Sequence, residues 1–268
     1  MNNGLIKKDY LKKIKLLQNC NKHYYDKAKP IFSDEEFDLL KKNIIDLESR
    51  YNFLRNEQSP TKSVGFKPST IFQKVKHKVA MLSLANAFNE EDVRSFEKKI
   101  VNFLSLKDLD KIEYSVEPKI DGISASLIYV NGKFIRGLSR GDGKEGEDIT
   151  QNLRTIKDIP RTIMAKNFPN EIDIRGEVFI ENNDFKKIQK IFANPRNAAS
   201  GSLRQKNADV TSKIPLKFIA YTYGYVKSMN IKNQSDFLDN LKLWGFKTNP
   251  LNKKINDIKN LMLNHKNL

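Results

Sequence analysis

A single cysteine, Cys20, in 268 residues leaves no partner for an internal disulfide and too few thiolates for a four-cysteine zinc module. With three scattered histidines, a transition-metal site is not expected. Twelve glycines and nine prolines are too few for collagen-like or low-complexity architecture. No apolar run approaches the roughly 20 residues of a membrane span, and the opening MNNGLIKKDYLKK lacks a signal peptide's apolar core. These absences point to a globular protein of the reducing cytoplasm with no membrane association. Acid is the minority charge: 32 Asp and Glu against 48 Lys and Arg give a net +16 and a pI near 9.6. A polyanionic partner follows, nucleic acid first.

What is present is unevenly placed. Ten of the basic residues are arginine, and seven of these lie between Arg136 and Arg204. Arginine grips phosphate or carboxylate bidentately, so the crowding suggests a phosphate-handling surface; a lysine-rich composition with accidental placement is the alternative. Leu11, Ile14 and Leu17 mark a first amphipathic helix. Ser33, three residues before Glu36, opens a second whose apolar face runs Phe37, Leu40, Ile44, Leu47 and Tyr51. Residues 56–70 read as a linker, which divides the chain into a helical unit over 1–70 and a larger one over 71–268. There the period shortens: strands are predicted over 112–116, 124–130, 133–139, 172–178 and 216–225, with Asn131-Gly132 as a hairpin turn. Helices are predicted over 184–192, 236–244 and 256–263. The fold class is α+β, a small N-terminal helical hairpin followed by a domain with antiparallel sheets.

Three clusters carry chemistry. In Glu117-Pro118-Lys119-Ile120-Asp121-Gly122 a lysine stands between two carboxylates, and on an extended chain all three side chains share a face, with Gly122 permitting a sharp turn. Taken alone, this is more readily an ordinary strand-end charge cluster. It is followed by Ser139-Arg140-Gly141-Asp142-Gly143 and by Arg175-Gly176-Glu177-Val178, which the hairpin topology returns toward the same end of a sheet. Lysine, arginine and carboxylates converging on one pocket suit nucleotidyl transfer, where positioning and charge stabilisation lower the barrier. The run 141–146 fits GxGxxG but follows a hairpin, so it reads as a turn and not as a dinucleotide-binding loop. Lys74, Lys76 and Lys78 read as a solvated basic face.

The EPKIDG block resembles the KxDG signature of covalent nucleotidyltransferases. At greater length the chain is similar to the helical and adenylation regions of bacterial NAD-dependent DNA ligases. The similar stretches are SPT at 59–61, HKVAMLSLANAF at 77–88, EPKIDGISASLIY at 117–129, SRGDGKEGEDIT and QNLRTIKDIP within 139–160, IRGEVF at 174–179 and FANPRNAASGSLRQ at 192–205. The resemblance implies that Lys119 is the nucleophile that attacks the α-phosphate of NAD and carries AMP. It implies that Glu117 and Arg140 hold the adenosine, with Ser83 and Leu84 beside the adenine. Asp121 and Glu177 belong around the ribose and near a catalytic Mg2+, and Gly122 is among the cofactor-binding residues. Tyr24, Tyr25, Asp34, Phe37 and Asp38 correspond to the pocket for the nicotinamide end, and Arg196 and Arg204 to arginines near the phosphates of nicked duplex DNA. The implied function is NAD-dependent ligation of DNA in replication and repair, by a monomer with no protein partner evident.

Two departures qualify it. The family has tyrosine where Phe37 stands, which keeps the aromatic face and removes a hydroxyl. The family also continues into a DGVVIK-like strand, a second lysine motif, an OB-fold, a zinc module, helix-hairpin-helix repeats and a BRCT domain, none of which lies in these 268 residues. Weak or absent self-adenylylation, no nick sealing and weak, salt-sensitive DNA binding are therefore expected of these residues alone. Two other readings stay open: a non-catalytic remnant that binds NAD or DNA, and an ATP- or GTP-using nucleotidyltransferase, against which the helical hairpin argues.

Overall fold

The computed structural model describes residues 3–25, 31–54, 59, 61, 72–106, 112–229 and 231–267. Two helices come first, α1 (Asn3–Tyr25) and α2 (Asp34–Arg50), followed by a single 3-10 turn over Asn52–Leu54. The expected capping box forms: Ser33 Oγ accepts from the Glu36 backbone N–H at 3.2 Å, and the Ser33 N–H donates to Glu36 Oε2 at 2.8 Å. Ile6, Tyr10 and Leu17 of α1 pack against Leu40, Ile44 and Leu54, with Ile14, Phe37, Leu47 and Tyr51 at the margin. Leu11 is 47% exposed, against expectation. The buried face repeats as 6, 10, 17, and Leu11 stands about 100° round the helix from Tyr10.

Of the expected linker, Ser59 and Thr61 are described, and they are stapled to the hairpin. Tyr10 Oη donates to Glu48 Oε1 at 2.8 Å, Thr61 Oγ1 donates to Glu48 Oε2 at 3.2 Å, and Ser59 Oγ lies 2.8 Å from Thr61 Oγ1. The rest of that segment lies outside the described residues, as does the proposed boundary near residue 70.

The second hydrophobic cluster surrounds a sheet. In chain order the elements are β1 (Lys74–Lys76), α3 (Glu90–Leu104), β2 (Tyr114–Val116), β3 (Ile123–Val130), β4 (Lys133–Ser139), β5 (Glu145–Glu147), α4 (Thr150–Leu153) and β6 (Glu171–Phe179). Next come α5 (Asn182–Phe185), α6 (Pro195–Leu203), α7 (Ala208–Ser212), β7 (Lys217–Lys227), α8 (Gln234–Leu243), β8 (Lys253–Ile255) and α9 (Ile258–Lys266). Strands β4-β3-β6-β7 form one antiparallel sheet, and β1-β5 and β2-β8 are two-stranded antiparallel pairs, so the α+β class holds. Asn131 and Gly132 both take positive φ, 48° and 74°, as a two-residue hairpin turn with the strands' twist requires.

Alternation along the sheet separates core from chemistry. Ala125, Leu127, Tyr129, Ile172, Ile174 and Val178 are buried apolar residues, joined in the core by Phe218 and Ala220 of β7 and by Phe237, Leu241 and Trp244 from α8 and its end. Between them, Ser124, Ser126, Asp173, Arg175 and Glu177 occupy the alternate positions and project from the other face.

One predicted feature is corrected. The helix over 184–192 is one turn of α5 followed by successive tight turns, in which Lys187, Ile188 and Ile191 each donate to the carbonyl three residues back. Lysines 74, 76 and 78 are all exposed, as expected of a solvated basic face, with Lys74 and Lys76 in register with Glu147 and Glu145 and Lys78 paired with Glu171. Helices α3 and α6 were not anticipated. Asn89 caps α3 through Asp92 N–H at 2.9 Å, and Asn194 caps α6 with Pro195 at its first position. Replacing Ile174, fully buried at the sheet's centre, by alanine is expected to lower the unfolding free energy by about 2–5 kcal/mol. Met164→Ala, at an 89% exposed position, is expected to change it by less than about 0.5 kcal/mol in the same urea titration.

Candidate active site

Glu177 is the anchor. It stands on β6 opposite Ser124 of β3, is 8% exposed, and accepts from Ser124 Oγ at 2.9 Å. Burial pushes its carboxyl up to about 7, out of the ordinary carboxylate range, against the Ser124 hydrogen bond and the positive charges of Arg196, Lys119 and Arg140. Three cations separated by up to 77 positions in the chain thus act on one buried acid. Tyr221 faces the same point. It is the extra residue of a bulge in which Arg175 pairs with Thr222 and Gly176 with Ala220. Burial, and then the Glu177 charge, raise its phenol to about 12.

The loop 117–122 crosses directly over this acid. A Cβ on Gly122 would lie 2.3 Å from the Val178 carbonyl oxygen and 2.9 Å from Glu177 Cγ. Gly122 is therefore required by close approach of β6; the chain bends there as expected, without a positive φ. The shared face expected for Glu117, Lys119 and Asp121 gives way to separate contacts. Glu117 Oε1 accepts from Ser115 Oγ and from Gln234 Nε2, each at 2.9 Å. Asp121 Oδ1 accepts from Arg196 Nη1 at 2.9 Å. Lys119 is exposed, with its charge felt at Glu177.

Arg140 reaches the cluster from the end of β4, and the chain beyond it is a built turn. Asp142 Oδ1 accepts from the N–H groups of Lys144 and Glu145 at 2.9 and 2.8 Å, as the turn reading of 141–146 requires. Segment 77–81 is strapped beside this turn by His77 N–H to Lys144 O at 2.9 Å and Met81 N–H to Gly143 O at 2.8 Å. Arg175, buried, holds the strap's other side through the carbonyls of Val79 and Ala80 and pairs with Asp173 at 3.1 Å. Arg175 thus belongs to the scaffold and not to the pocket. Ser83 and Leu84 follow the strap on exposed chain, Leu84 being 78% exposed.

The remaining expected residues are dispersed. Arg204, about 12 Å along α6 from Arg196, lies 3.6 Å from buried Glu147. Phe37 packs on the core of the helical hairpin, and Asp38 is half-buried on the same helix. Tyr24 and Tyr25 end α1 and Asp34 begins α2, and their side chains lie outside the described residues. Tyr221, Ser124 and Gln234 escaped sequence reasoning. Ser124 was legible as the outward partner of a strand already predicted, whereas Tyr221 depends on a bulge and Gln234 on a tertiary contact.

Residues 69–268 match the family described as NAD-dependent DNA ligase adenylation domain, and residues 6–65 match the DNA ligase-like, N-terminal NAD+-binding domain. The whole chain is 76% identical to 40% of a DNA ligase of Pelagibacter ubique (strain HTCC1062). Over 88% of the chain it is 46% identical to 34% of a DNA ligase of Parvibaculum lavamentivorans, and over 91% it is 43% identical to 35% of one from Xanthobacter autotrophicus. The chain therefore spans two-fifths or less of these relatives' length. Among the described residues no helix is long and apolar enough to cross a membrane. Gly122→Ala is expected to cost more than about 2 kcal/mol of stability in urea unfolding, because the contact is with backbone that cannot yield.

Proposed function

Because the chain belongs to the family of NAD-dependent DNA ligase adenylation domains, we propose that its pocket transfers AMP from NAD to Lys119, as the first step in sealing nicks in duplex DNA. What supports this is one observation: Lys119, Arg140 and Arg196 all act on the single buried carboxylate of Glu177. Three cations gathered beside one buried acid, with Glu117 and Asp121 on the loop above it, suit the oxygens of a dinucleotide pyrophosphate better than an apolar ligand.

In this reading the unprotonated Lys119 amine attacks the α-phosphorus. The bond to the nicotinamide mononucleotide oxygen breaks, that fragment departs as a phosphate monoester, and a phosphoramide to AMP forms while the amine proton is lost. Arg140 and Arg196 offset the negative charge on the transferring phosphoryl group. Glu117 and Arg140 hold the adenosine with Ser83 and Leu84 beside the base, and Asp121 and Glu177 flank the ribose. The helices before residue 70, with Tyr24, Tyr25, Asp34, Phe37 and Asp38, receive the nicotinamide end. Arg196 and Arg204 then meet phosphates of the nicked duplex, and the +16 net charge favours that encounter at low salt. A cytoplasmic monomer completes the proposal.

The donor set also fits Mg2+. Among the described residues no three metal-ligating side chains gather, but Mg2+ commonly takes one or two carboxylates with phosphate and water oxygens. Glu177, whose side chain lies against Gly122, and the adjacent Asp121 would hold it. Bound there, it would withdraw charge from the α-phosphate oxygens.

A binding-only reading has the exposure of Lys119 in its favour. Intact mass spectrometry after incubation with NAD and Mg2+, with peptide mapping, separates the two. We expect a single AMP on Lys119 and none on Lys119→Arg, whose guanidinium keeps the charge but does not deprotonate. An adduct persisting on the arginine variant overturns the assignment, and a chain that binds NAD without any adduct supports the binding-only reading.

A further inference from the structure

Glu117 is held differently from the other two acids of the pocket. Two donors meet on one of its oxygens: Ser115 Oγ and Gln234 Nε2 both reach Oε1 at 2.9 Å. The Gln234 nitrogen also donates to the Tyr221 carbonyl at 2.6 Å, so the side-chain amide spans two acceptors from elements 117 and 13 residues away. With two acceptors opposite it, the amide is fixed with its nitrogen inward. Gln234 opens α8, and Asn233 caps that helix through the Asp236 N–H at 2.8 Å, so the base of the side chain is anchored as well.

We propose that Gln234 is a positioning residue that sets base specificity. By holding Oε1 together with Ser115, it turns Oε2 of Glu117 toward the bound nucleotide, where a carboxylate can only accept hydrogen bonds. Adenine presents an exocyclic amino donor to such a group. Hypoxanthine, otherwise the same shape, presents a carbonyl oxygen, and two acceptors then face each other with neither satisfied. Gln234 touches no substrate in this account and acts through Glu117. The inference rests on the reading that the pocket takes the adenosine of NAD and that Glu117 meets its base.

The sequence pattern offers no sign of this contact, because Gln234 looks like an ordinary first-turn residue after an asparagine cap. Its long-range partner makes it more than that. Tyr221 sits at the bulge of β7, so the same amide ties the KxDG loop to the strand that delivers the phenol facing Glu177.

The test compares equilibrium binding of NAD and of nicotinamide hypoxanthine dinucleotide to the full 268-residue chain by calorimetry, with the Tm of each variant. The unaltered chain is expected to prefer NAD by at least about tenfold. Gln234→Met, similar in volume but without the donor, and Gln234→Glu, which opposes one carboxylate to another, are each expected to bring that preference close to parity. Gln234→Lys restores a donor and is expected to keep most of it. A merely structural role lowers affinity for both dinucleotides together and leaves their ratio unchanged. If Glu117→Gln abolishes the preference while Gln234→Met and Gln234→Glu retain it, the role of Gln234 is overturned and that of Glu117 stands. If the unaltered chain shows no preference or binds neither dinucleotide, or if Glu117→Gln leaves the ratio unchanged, the reading of Glu117 falls and the inference with it.

Discussion

A carboxylate placed where water cannot reach it must either lose its charge or gather positive charge around it. Glu177 does some of each. Its protonation is pushed up by burial, while Ser124 and the charges of Arg196, Lys119 and Arg140 pull the other way. The local architecture follows from that balance. The KxDG loop runs without a side chain at Gly122 because Glu177 and the β6 backbone occupy the space. Arg196 is brought in by α6, a helix begun by Asn194 and Pro195, and is steadied by Asp121. Arg140 comes from the strand on the far side of β3.

The sheet supplies the rest. Period-two alternation puts Ile172, Ile174 and Val178 into the core and Asp173, Arg175 and Glu177 on the opposite face of the same strand. These three side chains have divided roles. Glu177 faces the cluster of cations, whereas Arg175 and Asp173 form a buried pair that fixes the strap at Val79 and Ala80. A buried pair of this kind adds little net stability, but it specifies where the strap lies. Gly224 of β7 leaves room for it, since a Cβ there would lie 2.2 Å from Asp173 Oδ2.

Much of this was legible in the sequence wherever a local rule governed. The capping box at Ser33, the Asn131-Gly132 turn and the alternating strands needed no long-range information, and each formed as read. Leu11 misled because a three-residue spacing drifts off a 3.6-residue helix, and the chosen face was set by packing on α2. The helix expected at 184–192 failed although its composition favours one, because successive tight turns replaced the helical ladder. In the site, Lys119, Arg140, Glu177 and Arg196 could be named from their motifs. Tyr221 and Gln234 could not, because a bulge and a contact across 117 residues have no local signature.

Three cations from distant motifs converge on one buried acid, and titrating Glu177 itself puts that convergence to the test. Followed through the 13C shift of its side-chain carboxyl in the ligand-free chain, the midpoint is expected at about 7, and replacing Lys119 by methionine is expected to move it higher by removing a charge that favours the ionised form. A midpoint near the ordinary glutamate value of about 4.3, or one that Lys119→Met leaves in place, would contradict the account.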